Sequence, residues 1–178
     1  KILRLESEGK TVGLVFVGRK ARDVIKNMHG SKIWESFLGM TGKNKVEFVD
    51  ANEVTSYILD KFDAGEFDKC HLAYNSFVSV LSQKPTMQQI IPFDIESAFE
   101  PEEEKILSAL LPRNIGVQIY SAMLDSAAGE HAARMTAMDN ATRNAGEMIN
   151  DLTLQYNRAR QAYITKELIE IISGAEAL

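Results

Sequence analysis

The sequence predicts an α/β fold, in which a small α/β domain is followed by a very long C-terminal helix. Two observations support this. Over residues 1–100, apolar β-rich runs alternate with helix-like segments, the order of strands and crossover helices in a layered, mostly parallel sheet. From Arg113 to Ile172 the chain contains no proline and only three glycines. About 60 residues rising roughly 1.5 Å each make a helix about 90 Å long.

The first elements of the α/β domain each have their own signal. Residues 11–17 form a continuous apolar run rich in valine, typical of a strand buried on both faces. Apolar residues at helical spacing follow, and Gly30 is expected to end that helix. Residues 46–49 are predicted to form a second short strand. Asn52 is expected to cap the next helix, which ends at Gly65.

Two more strands are predicted at residues 70–77 and 87–93, which completes a small Rossmann-like domain. A short helix then begins near Pro101, where proline and the acids that follow it favour a helix start. It is expected to end near Leu111, because Pro112 disfavours helical geometry in the residue before it. The predicted division is an α/β foot domain at 1–100, a connecting helix at 101–111 and a long helix at 112–178.

The long helix carries a seam of apolar and small residues. Its members alternate in steps of three and four, the 3.5-residue repeat of a coiled coil; they are Met135, Met138, Thr142, Ala145, Ile149, Leu152, Tyr156, Ala159 and Tyr163. No second helix of comparable length is predicted. The partner helix is therefore expected to come from another copy, another protein or a missing segment of the same protein.

Beyond Tyr163 the seam pattern stops. The residues that follow are expected to spread apolar surface around most of the helix, relieved chiefly by Glu170; they are Leu168, Ile169, Ile171 and Ile172. An apolar end on a helix of this length favours a surrounding sleeve.

Composition and motifs argue against several classes of function. The net charge of −5 gives no basic footprint for nucleic acid, and no apolar run reaches the ~20 residues of a membrane helix. The single cysteine, Cys70, fits a reducing compartment. No phosphate-binding glycine loop, metal-ligand spacing or nucleophile–base set is recognisable, so no catalytic residue, metal or cofactor is expected. The chain starts at Lys1 within a helix-like segment, which suggests missing upstream residues.

Several segments resemble the gamma subunit of F-type ATP synthases. The most specific are residues 130–142, 144–149 and 152–168, together with the ending 171–178. Residues 17–21, 73–77 and 81–83 resemble the α/β domain of the same family. That family begins with a long N-terminal helix and a first strand that have no counterpart here. The resemblance therefore implies the C-terminal part of a longer subunit, with the absent helix as the partner of the seam.

The resemblance also implies a function. The chain would be a non-catalytic rotor shaft that couples rotation of an ion-driven membrane ring to conformational cycling of the catalytic beta subunits. Implied partners are the alpha and beta subunits, an epsilon-type subunit and the c-ring, without nucleic acid or a direct membrane span. The implied location is the cytoplasmic face of a bacterial inner membrane, with the matrix side of the mitochondrial inner membrane as the alternative.

Individual residues match family positions with known roles. Those that match contacts to the catch loops of the alpha and beta subunits are Arg160, Gln161 and Thr165, with Glu167 and Arg134 on the same matching segments. Those that match the tip in an apolar bearing are Leu168, Ile169, Ile171, Ile172 and Leu178. Phe99 and Glu100 match a pair near the foot that contacts the ring or the epsilon-type subunit.

Other interpretations of the same residues stay open. Arg160 and Gln161 are also compatible with ordinary solvated positions on a helix surface. A homodimeric coiled-coil scaffold with an α/β interaction domain is the alternative function, although a parallel homodimer usually has larger branched residues than Ala145 or Thr142 at its seam. An enzymatic α/β domain with a helical dimerisation arm is disfavoured, because no convergent reactive groups are visible.

Overall fold

The computed structural model describes residues 2–40, 45–92 and 103–176. The elements, in chain order, are α1 (Ile2–Ser7), β1 (Leu14–Val17), α2 (Arg19–His29), a short 3₁₀ turn (Gly30–Lys32), β2 (Ile33–Phe37), α3 (Phe48–Asp63), β3 (Cys70–Ser79), β4 (Ser82–Ile91) and α4 (Glu103–Glu176). An α/β segment followed by a very long helix confirms the predicted fold class.

The described strands form two separate sheets of two strands each. β1 and β2 pair in parallel, from Leu14 opposite Ile33 to Val17 opposite Phe37. α2 connects them, as the crossover of a parallel pair requires. β2 was not predicted, because Ile33–Phe37 mixes apolar and polar residues without a clear alternation.

The second sheet is an antiparallel hairpin, which was not expected from the predicted crossover pattern. β3 and β4 pair from Cys70 opposite Ile91 to Ser79 opposite Ser82, with Val80 and Leu81 at the turn. β4 therefore begins five residues earlier than predicted. Antiparallel strands need only a short turn between them, so no crossover helix separates this pair. Parallel pairing in the described sheets is confined to β1 and β2.

The predicted strand at residues 46–49 is wrong, because α3 begins there. Glu47 is the N-cap of α3: its side chain accepts the Asp50 N–H, and its own N–H donates to Asp50 Oδ2 at 3.2 Å. This reciprocal capping box satisfies two backbone donors that a helix start leaves open. Asn52, the predicted cap, lies inside the helix. Gly65 follows the helix end with a φ of 71°, a conformation that glycine adopts readily.

This capping box gives a testable stability prediction. Asp50→Ala is expected to lower the unfolding free energy of the full-length subunit by about 1 kcal/mol. Glu53→Ala, at an exposed position one turn later in α3, is the matched control and is expected to change it by less than about 0.5 kcal/mol. Urea unfolding of both variants measures the difference, and equal midpoints would contradict the capping assignment.

The predicted helix end near Leu111 is also wrong. α4 continues through Pro112 as one helix from Glu103 to Glu176. Proline removes one backbone hydrogen bond and crowds the carbonyl four residues earlier, which kinks more helices than it ends. The packing of the helix just after Pro112, described next, favours its continuation.

One hydrophobic core joins α3, the hairpin and the first part of α4. Its buried members are Met40, Val46, Ala51, Val54, Ile58, Ile90, Ile91, Ile115, Ile119 and Met123. α3 and α4 approach closely, because a Cβ placed on Gly116 would lie 3.4 Å from Asn52 Oδ1 and 3.4 Å from Thr55 Oγ1. Glycine at this position therefore allows the close packing of the two helices.

By its contacts the chain divides into two units, one up to His131 and one from Ala132 onward. α4 contributes to both. The first unit contains both sheets, the shorter helices and the core, and is called the α/β unit below. The functional division at 1–100, 101–111 and 112–178 stays a prediction.

Candidate functional site

The candidate site is the part of α4 from Ala132 onward, where the predicted seam lies. All nine seam residues are exposed in the structure. The six large ones are 57–66% exposed: Met135, Met138, Ile149, Leu152, Tyr156 and Tyr163. A row of large apolar side chains left in water is typical of a surface that another helix covers.

The seam residues share one face of α4. At about 100° per residue, the nine positions fall within an arc of roughly 120°. Thr142 fits this apolar row because its hydroxyl donates to the Met138 carbonyl at 2.9 Å. The hydroxyl therefore finds its partner on its own helix, and the methyl group is left for packing. Ala145 and Ala159 have short side chains between the larger seam residues, which allows a partner helix to approach closely.

After Tyr163 the apolar surface moves to another side of the helix. The end residues Leu168, Ile169, Ile171 and Ile172 are all exposed. Their arc spans about 160°, and its centre lies roughly 145° from the centre of the seam. The expectation that they cover most of the circumference is therefore too broad. Within the arc of the seam beyond Tyr163 lie two acidic residues, Glu167 and Glu170.

The structure brings only some of the predicted catch-loop residues together. Gln161 and Thr165 lie one turn apart on the same face as the apolar end, roughly 160° from the centre of the seam. Arg160 and Glu167 instead lie within the arc of the seam. Arg134 lies about 40 Å away along the helix axis. All five are exposed, so Gln161 and Thr165 stay accessible when a helix covers the seam. Phe99, Glu100 and Leu178 lie outside the described residues.

Nothing in the described part of the chain forms a recognisable metal or thiol site. Residues 2–40, 45–92 and 103–176 contain no cluster of three or more His, Cys, Asp or Glu side chains suited to a metal ion. The Cys70 side chain is half-buried against the core, and this burial raises the pKa of its thiol to about 11. It is therefore a poor nucleophile at neutral pH.

No helix in the described part of the chain combines the length and the apolarity that crossing a membrane requires.

One charged cluster in the α/β unit was not predicted from the sequence. Lys61 Nζ donates to the Glu66 carboxylate at 2.7 Å and lies 5.5 Å from the centre of the Trp34 ring and 5.9 Å from that of Tyr57. The hydrogen bond with Glu66 raises the pKa of Lys61. The cluster links the end of α3 to β2 at the surface. A lysine that stays protonated and is bonded in this way has a structural role here.

Comparison with known proteins identifies the family of this chain. The sequence model of a family described as ATP synthase matches residues 1–178. The ATP synthase gamma chain of Granulibacter bethesdensis is 53% identical, over 98% of this chain and 64% of the relative. That of a Ruegeria species is 52% identical, over 100% of this chain and 64% of the relative. The chain thus spans 64% of the length of these relatives, slightly less than two thirds.

Solved structures share the fold at low sequence identity. The central stalk and c-ring structure of the Tetrahymena thermophila mitochondrial ATP synthase includes a chain that matches with a TM-score of 0.62 and 24% identity, over 79% of this chain and 66% of that one. A chain of the Euglena gracilis mitochondrial ATP synthase matches with a TM-score of 0.64 and 19% identity, over 99% and 65%. The family model covers the whole sequence, and the two relatives described above are both ATP synthase gamma chains. This chain therefore belongs to the ATP synthase gamma-chain family.

Proposed function

We propose that this chain is the C-terminal part of the central-stalk rotor of an F-type ATP synthase, a shaft rather than a catalyst. The observation that carries the proposal is the exposed heptad seam on α4 in a chain of the gamma family. Such a seam needs a partner helix. About one third of each relative's length lies outside the matched part, which leaves room for the N-terminal helix as that partner.

The proposed mechanism is mechanical. Two helices packed along the seam form a stiff axle inside the ring of alpha and beta subunits. Because the axle is asymmetric, each of its orientations makes different contacts with each catalytic site and stabilises a different state of it. Rotation driven by the membrane c-ring then takes the sites through their states in sequence. ATP is made or hydrolysed by the beta subunits.

The arrangement of α4 supports separate roles for its two exposed surfaces. The seam faces the partner helix, whereas Gln161 and Thr165 point away from it and are proposed to contact the catch loops, with Arg160, Glu167 and Arg134 as further contacts. The apolar end is proposed to turn in an apolar bearing, formed around Leu168, Ile169, Ile171, Ile172 and Leu178. Phe99 and Glu100 are proposed to contact the c-ring or an epsilon-type subunit at the foot.

The proposed location is peripheral, on the cytoplasmic face of a bacterial inner membrane. The relatives named above are bacterial proteins, which favours this site over the alternative, the matrix side of the mitochondrial inner membrane. The complex is proposed to work without a cofactor bound to this chain.

The catch-loop proposal is tested with the double variant Gln161→Ala/Thr165→Ala in the assembled complex. Loss of two hydrogen bonds worth about 1 kcal/mol each is expected to lower rotation-coupled ATP turnover roughly 30-fold. Gln155→Ala removes the same type of side chain from a different face of α4 and is expected to leave turnover unchanged. Turnover in the double variant equal to that of the control would contradict the assignment.

A further inference from the structure

The stretch of α4 within the first unit is held from more than one direction. Its inward face buries Ile115, Ile119 and Met123 in the core. On one flank, Gly116 permits the close approach of α3 at Asn52 and Thr55. Core packing of this kind resists separation of the helix from the domain.

The other flank of α4 is tied to the β3–β4 hairpin by three side-chain hydrogen bonds. Ser76 Oγ donates to Asp125 Oδ2 at 3.1 Å, and Gln88 Nε2 donates to Gln118 Oε1 at 2.9 Å. Gln83 Nε2 donates to the Gly129 carbonyl at 2.6 Å.

Gly129 makes the last of these bonds sterically possible. A Cβ on Gly129 would lie 2.8 Å from Gln83 Oε1, so the flexible Gln83 side chain would have to turn away and give up its bond to the helix. The hairpin side chain therefore sits directly on the backbone of α4.

The two flanks lie on opposite sides of the helix. Gly116 and Asp125 are nine positions apart, which corresponds to about 180° around the axis, and Gly116 and Gly129 are about 20 Å apart along it. Contacts on opposite sides at two heights oppose rotation of a helix about its own axis more strongly than contacts on one side alone. The hairpin bonds are therefore placed where they resist twisting.

We propose that these hairpin bonds form a rotational lock between the α/β unit and the shaft helix. The lock consists of Ser76, Gln83 and Gln88 on the hairpin and of Gln118, Asp125 and Gly129 on α4. Resting on the proposed rotor function, it keeps the foot and the helix in fixed angular register, so that torque applied to one is carried by the other. Its members act as positioning residues.

The first test compares two glycine-to-alanine changes in the same helix. Both gain the same helix propensity, but a Cβ on Gly129 meets Gln83, whereas a Cβ on Gly146 has no atom within 4 Å outside its own helix backbone. In the full-length subunit, Gly129→Ala is expected to speed amide hydrogen exchange over residues 118–129 about tenfold. Gly146→Ala is expected to leave exchange there unchanged. Adding Gln83→Ala to Gly129→Ala removes a side chain whose bond to residue 129 is already lost, and is expected to leave exchange there as fast as in Gly129→Ala alone.

The functional readout is ion pumping per ATP hydrolysed, measured with the complex in sealed vesicles. Gly129→Ala is expected to lower this ratio severalfold relative to Gly146→Ala, because a slipping foot transmits less torque.

A covalent substitute for the lock tests the same idea in the opposite direction. Oxidised Ser76→Cys/Asp125→Cys is expected to pump normally, since the two elements never move relative to each other, and to rescue Gly129→Ala. A Cys70→Ala background keeps the native thiol out of the cross-link.

Each outcome decides a separate question. Equal pumping by the two alanine variants in a complex that contains alpha and beta subunits would overturn the lock and leave the rotor function standing. Arrest of turnover by the cross-link would also overturn it, because the hairpin and helix would then have to move during rotation. Failure of the subunit to assemble with alpha and beta subunits would overturn the rotor function and the torque role together. The exchange data would still show whether the hairpin holds α4.

Discussion

Leu152→Asp is expected to destabilise the full-length subunit by at least about 3 kcal/mol, because it places a carboxylate in a seam that the partner helix dehydrates. Leu154 provides the matched control. Both leucines are 57% exposed in the structure, but Leu154 lies roughly 160° from the centre of the seam. Leu154→Asp is expected to change the unfolding free energy by less than about 0.5 kcal/mol.

Thermal and urea unfolding of the two variants separate the seam from general exposure of the helix. Loss of helix pairing in Leu152→Asp is also expected to reduce recovery of the assembled complex, while Leu154→Asp keeps the axle intact. Equal stability of the two variants would show that no helix packs on the seam. A large loss in Leu154→Asp alone would place the partner helix on the other side of α4.

Ile119→Ala is expected to lower the unfolding free energy by about 2–5 kcal/mol, as large-to-small changes in a well-packed core do. Ile119 is 1% exposed and belongs to the core shared by α3, the hairpin and α4. Val117, two residues away in the same helix, is 50% exposed. Val117→Ala should therefore cost less than about 0.5 kcal/mol.

Urea unfolding again measures this second pair. Because Ile119 lies within the stretch of α4 that the hairpin holds, its loss should also speed hydrogen exchange over residues 115–123. If the Ile119 and Val117 variants unfold at the same urea concentration, the core does not extend onto α4. The attachment of the helix to the α/β unit would then need another explanation.

Periodic patterns predicted the longest elements well. The spacing of Val54 and Ile58 in α3 reflects the burial of one helix face, and such a pattern is visible in sequence. The seam spacing likewise predicted a helix over the second half of α4, where the seam residues themselves are exposed. The apolar run before Gly18 likewise predicted β1, although only Phe16 of this strand is buried and its other residues are half-buried rather than covered on both faces. In these elements, local sequence and tertiary burial favour the same structure.

The errors fell where a specific side-chain contact decided the structure. Residues 46–49 have the composition of a strand, but the exchange of hydrogen bonds between Glu47 and Asp50 starts a helix there. An acidic N-cap three residues before another acid was the available signal. Pro112 was overestimated as a helix end, since tertiary packing often overrides such local preferences.

The faces of α4 that form the candidate site could be predicted from residue spacing, but the hydrogen bonds that hold this helix to the hairpin could not. The seam and the apolar end are both contained within one helix, so their relative faces follow from residue spacing alone. The hydrogen bonds from Ser76 to Asp125 and from Gln83 to the Gly129 carbonyl join groups that lie 49 and 46 positions apart in the sequence. Polar residues at such separations leave no periodic signal, and only the fold brings them together.

The most direct test of the central claim, that this chain is part of a rotor shaft, is capture of the native protein through a tag on the α/β unit, which leaves the end of α4 free. Mass spectrometry then identifies the proteins recovered with it and the intact mass of the captured chain. The rotor function predicts alpha- and beta-type ATPase subunits together with a chain longer than 178 residues. Recovery of nothing but a self-dimer of a 178-residue chain would contradict it and support the homodimeric coiled-coil scaffold.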